Sequence, residues 1–101
     1  EIKRAIKDYF KLMHIDYFHN LAGIGAYKGL PDLCFFDKRD GCLVFLEVKR
    51  PNGFLSPHQD NFRELISMYF VKFLLAKSVD DVINYLKDPN TILKHCNEHT
   101  L

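Results

Sequence analysis

Ile2, Ala5, Ile6, Tyr9, Phe10 and Met13 recur at helical spacing and form one apolar face, while Lys3, Arg4, Lys7, Asp8 and Lys11 cover the other. This pattern predicts an amphipathic first helix whose basic outer face is either simply solvated or turned toward DNA. Ile15 to Phe18, rich in β-branched and aromatic residues, predict a short strand. Asn20 to Leu30 carries Gly23, Gly25 and Gly29, which mark a loop with unusual dihedrals or close backbone approach. A strand rather than a helix follows it, so it is no phosphate-binding fingerprint.

Asp32 to Phe36 and Cys42 to Lys49 are the strongest strand candidates, and Asp40-Gly41 between them signals a hairpin. If Asp37 pairs with Cys42 around a four-residue loop, Asp32 falls opposite Glu47 and on the same face of the sheet. Lys49, two positions on, shares that face, and a slip of one residue would turn Asp32 away. Ser56-Pro57-His58-Gln59 then reads as a helix start, with Ser as N-cap, Pro first and Gln closing a capping box. Phe62, Leu65, Ile66 and Tyr69 make its inward stripe. Val71 to Ala76, apolar but for Lys72, suits a buried strand. Ser78 caps a last helix with Val82, Ile83 and Leu86 inward, ended by Pro89. The expected architecture is an α/β mixed sheet flanked by helices, in the order α-β-β-β-α-β-α. The tail from Asn90 is weakly patterned, with Ile92 and Leu93 able to dock.

A length of 101 residues, 48% of them hydrophobic, supports one domain spanning the chain and excludes disorder, with a core over about 1–87 and a tail over 88–101. A net charge of +1 permits nucleic-acid binding without indicating it. Three cysteines give no disulfide framework; Cys34 and Cys42 lie in apolar runs, which fits a reducing cytosol. No apolar run approaches the roughly 18 residues of a membrane span, and no signal peptide is visible. The sequence opens on Glu1 rather than Met, as a trimmed chain would.

Asp32 and Glu47 on one sheet face repel each other and lose hydration. A hard cation such as Mg²⁺ or Mn²⁺ relieves both costs. Lys49 beside them suits stabilisation of charge developing on a phosphate, and Val48 can offer its backbone carbonyl from the rim. The alternative is that Glu47 and Lys49 are a solvated pair on an edge strand. Against it, Leu43 and Phe45 precede them on the same face, so the charges interrupt a core-facing row. Gln59 either serves only the capping box or points at the reacting phosphate. Glu1, on the rim of the first helix, is a third carboxylate or a frayed surface residue. His95, Cys96 and His99 lack the second ligand pair of a zinc site, and no G-x-S-x-G elbow supports a serine hydrolase.

Taken together, the glycine-rich loop, Gly29-x-Pro31-Asp32-Leu33, the hairpin, Phe45-Leu46-Glu47-Val48-Lys49-Arg50-Pro51 and Gly53-x-Leu55-Ser56-x-x-Gln59 resemble a VRR-NUC domain of the PD-(D/E)XK nuclease superfamily. The resemblance runs from Glu1 to about Leu86. It departs at Tyr69-Phe70, where the family usually carries glycine. It implies a restriction-endonuclease-like core and metal-dependent DNA cleavage. Asp32, Glu47 and the Val48 carbonyl would bind Mg²⁺ or Mn²⁺, Lys49 would be the catalytic lysine, and Gln59 would support the site. An acidic residue on the family's first helix maps to Glu1. Lys28, Arg50 and Arg63 are candidate phosphate contacts or ordinary surface charges. Short free-standing members, often phage proteins acting inside a host cell, resemble Holliday junction resolvases and act as homodimers. A flap, restriction or exonuclease-type enzyme, or a DNA-binding module without catalysis, are the alternatives.

Overall fold

The computed structural model describes residues 1–20 and 27–94. Gly23 and Gly25, and the His95, Cys96 and His99 cluster, lie outside the described residues. Helix α1 spans Ile2–Leu12, strand β1 Tyr17–His19, β2 Leu33–Asp37 and β3 Cys42–Val48. Helix α2 spans Pro57–Ile66, β4 Lys72–Ala76 and α3 Val79–Lys87, followed by a short 3₁₀ helix at Pro89–Thr91. The order is the expected one. No helix among the described residues is long and apolar enough to cross a membrane.

The sheet runs β1-β2-β3-β4, antiparallel except for the parallel β3–β4 pair. A parallel neighbour needs a crossover, and α2 supplies it. One face carries the deep core: Leu33, Phe35, Val44, Leu46 and Ala76 meet Ile6 and Phe10 of α1 and Val82 of α3. The other face is covered by α2, whose Phe62 ring stands 5.0 Å from Phe45. Three expectations change here. The row Leu43, Phe45, Glu47 belongs to this thinner α2 side, not to the deep core, because α1 and α3 both cover the opposite face. Ala5 of α1 and Met13 just past its end are exposed, as are Leu65 and Tyr69, so only Phe62 and Ile66 of α2 are buried. The first strand starts two residues later than Ile15.

That shift has a local cause. His14 takes a left-handed φ of 55°. The His14 N–H donates to Lys11 O and the Ile15 N–H to Phe10 O, at 2.8 Å for the latter. This pair of hydrogen bonds closes the helix and turns the chain, so Ile15 belongs to the reversal and pairing begins at Tyr17.

At the hairpin end, Lys72 is buried rather than merely interrupting an apolar run. Its Nζ lies 2.6 Å from both Asp37 Oδ2 and Asp40 Oδ2 and donates to Thr91 O. Arg39 also grips Asp37 and reaches Asp88 O and Thr91 Oγ1. The Leu93 N–H donates to Asp40, so the segment after α3 docks through its backbone.

Candidate active site

Asp37 pairs with Cys42 and Leu33 with Leu46. Continued by one step, that register sets Asp32, which immediately precedes β2, opposite Glu47 near the end of β3. Asp32 is held there by its chain neighbours. The Asn20 N–H donates to Asp32 O at 2.9 Å, and Asn20 Nδ2 donates to Pro31 O at 2.7 Å. Pro31 itself is fully buried.

Gly29 locks the same loop against α2. Its φ is +83°, and a Cβ there would stand 2.0 Å from His58 O. Only glycine allows this approach, which brings the turn before Asp32 onto the first turn of α2, where Gln59 lies. Gln59 fills the capping box: its Oε1 accepts from the Ser56 N–H at 2.8 Å, and its own N–H donates to Ser56 Oγ.

Glu47 is buried, with 8% exposure, although its strand neighbours on this face are Phe45 and, across the ladder, Leu75. Burial pushes its carboxyl above the ordinary value; Lys49 opposes the rise, Asp32 adds to it and Lys3 opposes it. Lys49 Nζ lies 3.7 Å from Glu47 Oε2. Lys3 Nζ lies 2.5 Å from Asp32 Oδ2. Two carboxylates and two ammonium groups therefore share the sheet end. Lys3 is the residue that sequence reasoning missed. Its signal was the Lys3, Lys7, Lys11 spacing along one edge of α1.

Glu1 N-caps α1 by accepting from the Arg4 N–H, and it lines one hollow with Lys3, Val48, Lys49 and Arg50. It thus stands on the site's side of the molecule with its carboxylate engaged. Lys28 and Arg50 are exposed, Lys28 beside Gly29 and Arg50 just past β3. Arg63 is exposed one turn beyond Gln59 and pairs with Asp60 at 2.5 Å.

Among the described residues no group of three or more His, Cys, Asp or Glu side chains is placed to hold a metal. The donors at the sheet end are the carboxylate oxygens of Asp32 and Glu47, with the Val48 carbonyl at the strand's last residue. Hard oxygen donors of this kind fit Mg²⁺ or Mn²⁺. A buried Glu47 carboxylate with Asp32 nearby fits as well, since a cation would offset both its lost hydration and the repulsion between the two acids.

No protein-family model matches the sequence, and no curated protein matches it. A solved structure titled VRR_NUC domain protein is similar, with a TM-score of 0.62 and 17% identity, over 86% of this chain and 86% of its own. The fold is VRR-NUC-like. At that identity the likeness is one of architecture.

Proposed function

We propose that this VRR-NUC-like protein is a divalent-metal-dependent DNA endonuclease acting on branched DNA, in the manner of a Holliday junction resolvase. The observation that carries the proposal is the convergence of Asp32, Glu47, Lys49 and Lys3 at one end of the sheet, from three different elements. Asp32, Glu47 and the Val48 carbonyl would hold Mg²⁺ or Mn²⁺. When bound, the cation polarises a phosphoryl oxygen and makes a nearby water more acidic. Water adds to phosphorus in line while the bond to the 3′ oxygen breaks. The products are a 5′ phosphate and a 3′ hydroxyl.

The chain's own residues do the rest. Lys49 presents its ammonium where negative charge grows on the phosphoryl group. Lys3 holds the Asp32 carboxylate at the sheet end and would give that oxygen up to a bound cation. Gln59, at the start of α2, would aim its amide at the phosphate, and Glu1 would supply a further carboxylate once released from its cap. Lys28, Arg50 and Arg63 would contact flanking phosphates, which favours recognition of shape over base sequence. A two-fold homodimer would supply the two sites that symmetric cutting of a junction requires.

A second reading, DNA binding without cleavage, is favoured by one observation: both carboxylates already have an ammonium partner. A labelled four-way junction, with flap and linear duplex controls, separates the two in Mg²⁺ or Mn²⁺. Metal-dependent products that disappear in Lys49→Ala support the nuclease, and paired symmetric cuts support the resolvase form. Cutting of flap or linear DNA in preference would replace the resolvase by another nuclease type. Binding that persists in chelator, with no products on any substrate, would replace catalysis by binding alone.

A further inference from the structure

An open groove of about 610 Å³ lies between α1 and the edge strand β1, and it shares Lys3 with the candidate site. One wall is Lys3, Arg4, Lys7 and Lys11 of α1; the other includes Tyr17 and His19 of β1. We infer that this groove is a track for a single strand of DNA leading to the sheet end.

Charge is the first support. Four basic residues stand there against Glu1 and Asp8, and one of the four, Lys3, is paired with Asp32 at the sheet end. Glu1 is engaged in capping the helix, and among the described residues no salt bridge involves Arg4, Lys7 or Lys11. Arg4, Lys7 and Lys11 are therefore available to an anionic polymer rather than neutralised within the fold, while Lys3 is held by Asp32.

Geometry is the second. Lys3, Lys7 and Lys11 follow one another every four residues, about 6 Å apart along the axis at the helical rise. A nucleic-acid backbone can follow such a row with successive phosphates.

The third support is the aromatic wall. Tyr17 and His19 alternate onto the same face of β1, with ring centroids 6.4 Å apart. Tyr17 is braced by Phe10 of α1 at 5.5 Å, and His19 is exposed. An exposed His19 ring beside a half-buried Tyr17 and a basic row suits an unpaired base, which can stack on it; a duplex keeps its bases inside and would use the lysines alone. Lys3 joins the groove to the site, since the residue that lines the track also bonds Asp32. Only the direction of the track, toward a scissile phosphate, rests on the proposed nuclease function.

The test is fluorescence anisotropy with a labelled oligothymidylate and a labelled linear duplex, in chelator, over a range of salt. The wild type binds the oligothymidylate. The double variant Lys7→Ala/Lys11→Ala flattens the dependence of log K on log salt by about 1.4, from about 0.7 per lost single-strand phosphate contact. Lys7→Arg/Lys11→Arg keeps the slope. His19→Ala weakens single-strand binding about fivefold, the lower end for one stacked base at about 1 kcal/mol, and leaves duplex binding unchanged. No oligothymidylate binding, an unchanged slope in the double alanine variant, or equal losses on both ligands with His19→Ala would each overturn the track. Because no cleavage is read, single-strand binding that behaves this way in a protein that cuts nothing would fault the nuclease alone.

Discussion

Lys3 reaches from the first turn of α1 to the loop before β2 and bonds Asp32, 29 positions away in sequence, at 2.5 Å. An ammonium group in contact with a candidate metal ligand competes with any cation for that oxygen. Lys3→Gln removes the competitor and one unit of like charge. Mn²⁺ binding, measured by calorimetry, is expected to tighten about fivefold or more, from about 1 kcal/mol per unit charge pair at this range even in water. An unchanged affinity would place the cation away from Asp32.

Gln59 has two roles to separate. Gln59→Ala removes half of the capping box and is expected to cost roughly 0.5 to 1 kcal/mol in urea unfolding. Gln59→Glu keeps an acceptor for the Ser56 N–H and so keeps that stability. If Gln59 also addresses the phosphate, the added negative charge lowers cleavage by about tenfold or more. Equal cleavage by Gln59→Glu and wild type would reduce Gln59 to a cap.

Gly29 cannot be replaced quietly. Gly29→Ala brings a Cβ against the His58 carbonyl in a left-handed conformation. The loop must then leave α2 or strain its backbone, for a loss of at least about 2 kcal/mol. Thermal unfolding reads this directly. A variant as stable as the wild type would mean that the loop does not dock on His58.

At the far end of the sheet, burial pushes the Asp37 carboxyl up, but hydrogen bonds from Arg39 and Lys72 outweigh it and lower it from 3.8 to about 2. A depressed native value means stability that is fully present above 3.8 and is lost as pH falls through about 2. The contribution is about 2 kcal/mol. Asp37→Asn should therefore flatten the acid limb of a pH–stability curve. Lys72→Met leaves Asp37 and Asp40 short of a buried partner and is expected to cost about 3 kcal/mol at neutral pH. Loss of the acid limb in neither variant would show that this cluster does not titrate with folding.

Much of this was legible in the sequence for local reasons. Asp40-Gly41 announces the turn, the turn fixes Asp37 against Cys42, and the pairing carries Asp32 toward Glu47. Ser56-Pro57 and Ser78 announce two helix starts through caps that need only three or four residues. What stayed hidden depends on distance along the chain. Lys72 looks like a break in a strand because its partners are 35 and 32 residues away. Lys3 looks like one more solvated lysine for the same reason. Which apolar row of β3 lies deepest depends on two helices packing on one face and one on the other, and alternation alone carries no such information. Tyr69 continues the helical period of α2 but falls beyond its last turn, so the period no longer applies.

The β2–β3 hairpin has a consequence for how this protein can change length. Its turn lies about 17 Å from Asp32, five residues at the strand rise, yet it decides which way Asp32 faces. A residue added among 38–41 would enlarge the turn, disturb the Arg39 and Asp40 contacts, and leave the pairing of Leu33 with Leu46 in place. A residue added within 33–37 or 42–47 would invert every side chain beyond it and carry one carboxylate to the wrong side of the sheet. Insertion at the tip thus spares the site at the expense of the Arg39 and Asp40 contacts, whereas insertion along the arms does not, so the hairpin acts as a ruler whose graduations are single residues.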